Sequence, residues 1–315
     1  MEYGAHLPLI EFDGGRRTFA DLRGYAERAA ALGYRFLCAN DHLLYSRPWL
    51  DGPTALAAVI EASADMTLAT TVCLPVVRGP IQTAKTLAAI DILSGGRLVV
   101  GVGPGSSPRD YAAIGLDFEE RWKRFDEAIV ALRSLLSEDA EGFEGNFYST
   151  EGLALEPSPM RREGPPIWIG SWGSPAGLRR VARLGDGWLA SGYNTTPPVF
   201  SEGLALLSEQ LRTAGKSPGA FPNGIATMWL YVTDRRIHAE RMLAEVLAPL
   251  LNRPVDVIRE LALPIGSPEQ CAERISAFAD AGAEQVFVWP IADEVRQLEL
   301  FWERVVPAVS AAQRV

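Results

Sequence analysis

Leu93-Ser94-Gly95-Gly96-Arg97-Leu98-Val99-Val100-Gly101-Val102-Gly103-Pro104-Gly105 contains a whole turn of the fold. A helical stretch over 81–93 stops at the two glycines, which adopt left-handed backbone at little cost. The apolar run 97–101 then reads as a strand, and more glycine ends it. The same alternation extends in both directions. Strands are predicted at 2–8, 34–40, 67–74, 97–101, 167–169, 187–191, 225–232 and 285–289. Helices are predicted at 19–32, 53–64, 81–93, 119–137, 175–184, 198–214, 237–251, 268–281 and 295–311. Thr67–Leu74 has the Thr, Val and Leu content of a strand buried on both faces. Eight strands, each followed by helix, imply a parallel sheet with right-handed crossovers. Eight such units favour an α/β fold closed as a (β/α)8 TIM barrel, with a doubly wound open sheet as the alternative.

Residues 138–165 break the rhythm and read as a small hairpin insertion after the fourth helix, carried by Phe143-Glu144-Gly145-Asn146-Phe147-Tyr148 and Leu153-Ala154-Leu155. No stretch resembles a linker, so 1–315 is expected to form a single domain. The chain has 30 Lys and Arg against 39 Asp and Glu, a net charge of −9, and is 48% hydrophobic. An acidic chain without a basic cluster is a poor partner for nucleic acid, whose phosphates supply most of the binding energy. No apolar run is long enough to span a membrane, and the N-terminus lacks a signal-peptide pattern. Cys38, Cys73 and Cys271 are odd in number and widely spaced, as expected of reduced thiols in a cytoplasmic protein.

In a barrel, the chemistry lies at the C-terminal ends of the strands. Those ends carry His6, Asn40-Asp41-His42, Cys73, the 101–107 glycine loop, Gly170-Ser171-Trp172-Gly173, Ser191-Gly192-Tyr193-Asn194, Thr233-Asp234 and Trp289-Pro290. The three histidines, His6, His42 and His238, lack metal-ligand spacing, so no metal is expected. The three lysines, Lys85, Lys123 and Lys216, fall on helices or a connection, which disfavours Schiff-base chemistry. Facing carboxylates and a Gly-x-Ser-x-Gly elbow are absent as well. Glycine, hydroxyls, aromatics and one Asp-His pair suit an organic cofactor that carries the hard chemistry itself.

The glycine run is discounted as a dinucleotide fingerprint, because it sits in the fourth unit and the next predicted helix begins more than ten residues later. Ser174 and Pro175 form a capped helix start able to receive an anion. His42 is the titratable group of choice, and Asp41 either orients it or closes a turn. Tyr45, Trp49, Tyr193, Trp229 and Trp289 lie where they could wall a flat substrate pocket, whereas Trp168 and Trp188 read as core. Ser94–Arg97 lies on the opposite face and reads as a stability feature.

Asn40-Asp41-His42, Leu68–Val72, Leu93–Gly105, Pro165–Gly170 and Arg183–Trp188 together resemble the bacterial luciferase-like monooxygenase family, whose members use FMN or coenzyme F420. The resemblance implies a barrel, often a homodimer. It also implies a non-prolyl cis peptide at Thr71–Val72, backing the cofactor ring. By the same resemblance His42 works beside the ring, with Gly103, Gly105 and Ser106 lining it. Gly170, Ser171, Trp172, Ser191 and Gly192 would then hold the rest of the cofactor. Ser106 replaces the acid, Ser46 the tryptophan, and Tyr193 or Asn194 the lysine of the family's sugar-phosphate dehydrogenases, which points away from such a substrate. Pro104 stands where the luciferases keep a phosphate arginine, with Arg109 or Arg121 as substitutes.

The expected function is hydride transfer between coenzyme F420 and a small organic molecule. Two alternatives stand beside it. One is an FMN-dependent two-component monooxygenase supplied by a partner reductase, and the other a flavin-binding barrel without turnover.

Overall fold

The computed structural model describes residues 1–12, 14–139 and 141–312, so Asp13, Ala140 and 313–315 lie outside the described residues. The strands are β1 (Glu2–His6), β2 (Phe36–Ala39), β3 (Thr67–Cys73), β4 (Leu98–Val102), β5 (Ile167–Gly170), β6 (Gly187–Ser191), β7 (Asn223–Val232), β8 (Ile265–Gly266) and β9 (Gln285–Pro290). Adjacent strands pair in parallel from β1 to β7. The ring closes through β9, which pairs with both β7 and β1. The result is a closed eight-stranded barrel, and the open sheet is excluded. The two-residue β8 attaches outside the ring to the end of β7, through Tyr231 and Val232. Among the described residues no helix is long and apolar enough to cross a membrane.

Side-chain volume determines how the barrel is filled. Phe36, Trp168 and Phe287, with the smaller Cys38, Ala69 and Ala226, form a separate apolar cluster inside the ring. Phe287 fits because its neighbours are glycines: a Cβ at Gly4 would lie 2.5 Å from its ring and one at Gly224 2.9 Å away. A Cβ at Gly101 would lie 2.0 Å from the Thr70 carbonyl oxygen, so close strand approach requires glycine there. The larger core lies between the strands and the outer helices. There Trp188 stacks on Phe200 at 4.8 Å, and its indole N–H donates to the Ser171 carbonyl at 3.0 Å.

Several elements differ from the sequence reading. A six-residue helix, Pro108–Ala113, follows the glycine loop, with Ser107 as its N-cap. The argument that no helix begins near those glycines is therefore corrected. The element read as 53–64 ends as an α-helix at Ala58, and a one-turn helix Pro75–Arg78 precedes Pro80–Leu93. The stretch 237–251 divides into Arg236–Arg241, a π-helical turn Met242–Leu247 and Ala248–Leu251. In the insertion, Glu144 and Ser149 form an antiparallel bridge, while 153–155 make no strand.

Arg97 anchors the N-terminal face of the barrel. Its guanidinium donates to the Ser94 carbonyl at 2.9 Å, the Ile60 carbonyl at 3.2 Å, the Ser63 hydroxyl at 3.1 Å and the Met66 carbonyl. Arg97→Ala is expected to lower stability by about 3 kcal/mol, since hydrogen bonds from a charged donor each contribute about 1.5–3 kcal/mol. Urea denaturation checks this, and Arg97→Lys should recover less than half, lacking the planar fork. A loss below the error of the measurement would contradict the assignment.

Candidate active site

The end of β2 is built around Asn40. Its side-chain oxygen accepts from the Asp41 N–H at 2.7 Å and from the Val72 N–H at 3.2 Å, joining the β2 loop to the end of β3. Asp41 is 3% exposed. It takes Arg78 on both oxygens at 2.6 Å and accepts from the Leu74 N–H at 3.3 Å. A buried carboxylate needs such partners. Asp41 therefore stabilises the β2–β3 junction. It is not the group that orients His42, which corrects the sequence reading.

The carboxylate at His42 is Asp110, from the short helix after the glycine loop. His42 Nδ1 lies 3.3 Å from Asp110 Oδ2, while Asp110 Oδ1 accepts from the Leu44 N–H at 2.9 Å. Burial acts to raise the Asp110 pKa, but hydrogen bonds from His42 and from the Leu44 and Leu43 amides outweigh it and hold it below the usual value. Sequence reasoning missed this residue. The Ser107-Pro108-x-Asp110 pattern, an N-cap with acid in the first turn, was the available signal.

Around His42 the aromatics form a continuous wall. Tyr45 and Trp49 each have ring centroids 4.8 Å from the imidazole. Trp49 meets Trp289 edge-on at 5.5 Å, and Trp289 stacks between Trp229 at 4.3 Å and His6 at 3.4 Å. Trp229 and Trp289 are buried and so form the inner layer of this wall, behind Trp49. Tyr45 donates to the Leu250 carbonyl at 3.1 Å. Arg253, which sequence reasoning also missed, donates to the Tyr193 carbonyl and to Asn194 Oδ1 at 2.5 Å. These bonds tie the segment between β7 and β8 across the mouth.

The opposite side is narrow in side chains. The Thr71–Val72 peptide is cis, and the β3–β4 register shifts between Thr70 and Cys73. Val72 faces two glycines: a Cβ at Gly103 would lie 2.7 Å from its Cγ2, and one at Gly170 3.3 Å from its Cγ1. Gly105 has φ +83°, and Ser106 beside it is exposed. Ser171 is buried against the helix Pro175–Leu184, whose cap is Ser174, while Trp172 is 57% exposed. Ser191 is half-buried and accepts from Asn194 Nδ2 at 3.3 Å; at Gly192 a Cβ would meet Met228 Sδ at 2.2 Å. Val72 thus packs on bare backbone at Gly103 and Gly170, while His42 lies among Tyr45, Trp49 and the tryptophans behind them. The buried Trp49 Nε1 and Thr195 Oγ1 have no partner among the described residues.

Other chemistries find little support here. No group of three His, Cys, Asp or Glu among the described residues could hold a metal. Burial pushes the Cys38 and Cys271 thiols up to about 12, leaving them protonated and poor nucleophiles.

The fold is a closed eight-stranded parallel barrel whose strand ends carry His42, Asp110 and a wall of aromatic rings. The model of the luciferase-like monooxygenase family matches residues 9–256, and the chain belongs to that family. An F420-dependent glucose-6-phosphate dehydrogenase of Amycolatopsis mediterranei is 26% identical over 321 residues, covering 92% of this chain and 95% of that protein. An FMNH(2)-dependent dimethylsulfone monooxygenase of Pseudomonas putida is 30% identical over 172 residues, 54% of this chain and 46% of that one. Among solved structures, an F420-dependent secondary alcohol dehydrogenase in complex with an F420–acetone adduct shares the fold, with a TM-score of 0.82 at 20% identity over 98% of both chains.

His6 gives the site a pH signature. Its Nδ1 pairs with the Leu7 carbonyl at 2.8 Å, and burial lowers its pKa from 6.5 to about 3. Below pH 6.5 the unfolded chain binds a proton that the folded chain refuses. Stability is therefore full above that pH and falls as the pH drops toward about 3. Urea titrations from pH 7 to 4.5 should show this slope, and His6→Phe should lose about one proton's worth of it. An unchanged slope in a folded His6→Phe variant would contradict the assignment.

Proposed function

We propose that this chain is an F420-dependent oxidoreductase that moves hydride to or from a small organic substrate, with His42 taking or giving the accompanying proton. The observation that carries the reading is the Val72 shelf at the end of β3, which packs on bare backbone at Gly103 and Gly170 so closely that a Cβ at Gly103 would collide with it. Val72, Thr71, Gly103, Gly105 and Ser106 would hold the ring, and Gly170, Ser171, Trp172, Ser191 and Gly192 the remainder of the cofactor. Coenzyme F420 supplies a ring that carries two electrons as hydride. The relatives similar over nine-tenths of the chain, such as the Amycolatopsis enzyme, support this choice.

The residues of the chain itself bind, orient and exclude water. Tyr45, Trp49 and Tyr193, backed by Trp229 and Trp289, fit a planar or apolar substrate. Trp49 and Tyr45 limit water around the imidazole, and Nε2 of His42 handles the proton at the mouth.

The chain would act in the cytoplasm as one barrel unit and as a homodimer. A second reading, an FMN-dependent monooxygenase fed by a reductase, draws support from the Pseudomonas relative.

Calorimetric titration of the apoprotein should show F420 binding at least about tenfold more tightly than FMN, a difference of about 1.4 kcal/mol. Gly103→Val should weaken F420 binding by about tenfold or more at retained fold. His42→Ala should keep cofactor affinity and lower turnover about 100-fold or more, the usual scale of a lost acid–base group. Preference for FMN would move the assignment to the second reading. Unchanged turnover in His42→Ala would remove the role of His42.

A further inference from the structure

We propose that Asp110 is the positioning residue that fixes His42 in the Nδ1–H tautomer, leaving the Nε2 lone pair as its single proton port. The inference rests on the reading of His42 as the proton-handling group, but its test needs neither cofactor nor turnover.

Two contacts carry the argument. Asp110 Oδ2 lies 3.3 Å from His42 Nδ1, and Oδ1 accepts from the Leu44 N–H at 2.9 Å. The side chain is buried, and the local turn is set by the Asp110 N–H, which donates to Ser107 Oγ at 3.3 Å. An ionised carboxylate is an acceptor only. In the neutral imidazole the hydrogen between Nδ1 and Oδ2 therefore resides on Nδ1.

Among the described residues, the two aromatic rings set against the imidazole carry no charge. Tyr45 and Trp49 flank it at 4.8 Å, and burial raises the Tyr45 phenol to about 12, so it stays neutral. Asp41, next in the chain, is engaged by Arg78.

The arrangement has a consequence for the chemistry. A proton taken up at Nε2 makes an imidazolium whose Nδ1–H still faces the Asp110 anion, so the new charge forms beside a fixed opposite one. No other bond changes. The same side chain couples two parts of the site, because its helix Pro108–Ala113 continues directly from Gly105 and its second oxygen pins Leu44 in the β2 loop.

The test is the tautomer itself, read by long-range 1H–15N correlation on the 15N-labelled full chain with its imidazoles neutral. Three histidines are present, and His42→Gln identifies the signals of residue 42. The expected spectrum gives Nδ1 a pyrrole-type shift and Nε2 a pyridine-type shift. Asp110→Asn retains an oxygen for the Leu44 amide but turns a carboxamide N–H toward Nδ1, so the two shifts should exchange. A purely structural Asp110 would not produce that exchange. A wild-type ring protonated at Nε2, or a folded Asp110→Asn variant without the exchange, overturns the proposal. If Asp110→Asn fails to fold, the wild-type spectrum alone decides.

Discussion

The carboxylate of Asp41 accepts from Nε and Nη2 of Arg78, whose Nη2 also donates to Asp51, and from the amide of Leu74. Beside it, the Asn40 side chain holds the amide of Val72. A charge this buried is stable only while its partners are in place, so these bonds fix where β2 ends and how β3 turns outward. Val72 then projects toward Gly103 and Gly170. The position of Val72 at the mouth depends on that junction, and so does the path of the loop that carries His42.

From this junction the mouth divides into two unlike halves. At the ends of β4 and β5 stand Gly103 and Gly170, where added carbon atoms would meet Val72. Over β7, β9 and β1 the space is filled by the Trp229–Trp289–His6 stack. Such asymmetry suits a flat ring seated on the glycine side and a substrate held against the aromatics. The buried plug of Phe36, Trp168 and Phe287 closes the barrel beneath, so the mouth has a rigid floor. Holding catalytic geometry on strand ends above a packed core is how this barrel architecture separates stability from chemistry.

Much of this was legible in the chain. The helix-stop-strand order around Gly95-Gly96 gave the barrel, and Trp168 and Trp188 were read correctly as core. The place of His42 just past a strand end was legible. Its partner was not, because adjacency in sequence does not mean adjacency in space: Asp41 turns to Arg78 while His42 turns to Asp110. The helix bearing Asp110 has six residues, too few for periodicity to reveal, and its Ser107-Pro108 start merged with the glycine loop. Arg78 and Arg253 reach the site from distant segments, a tertiary property that local patterns do not encode. The two-residue β8 is likewise set by pairing with β7 rather than by its own residues.

The most direct measurement is the crystal structure of this chain with F420 bound. The ring is predicted to rest on Val72, between Gly103 and Gly170, with its other face open toward His42 and the aromatic wall. A ring bound away from Val72, or one reaching Val72 with His42 on the far side of the barrel wall, would contradict the account.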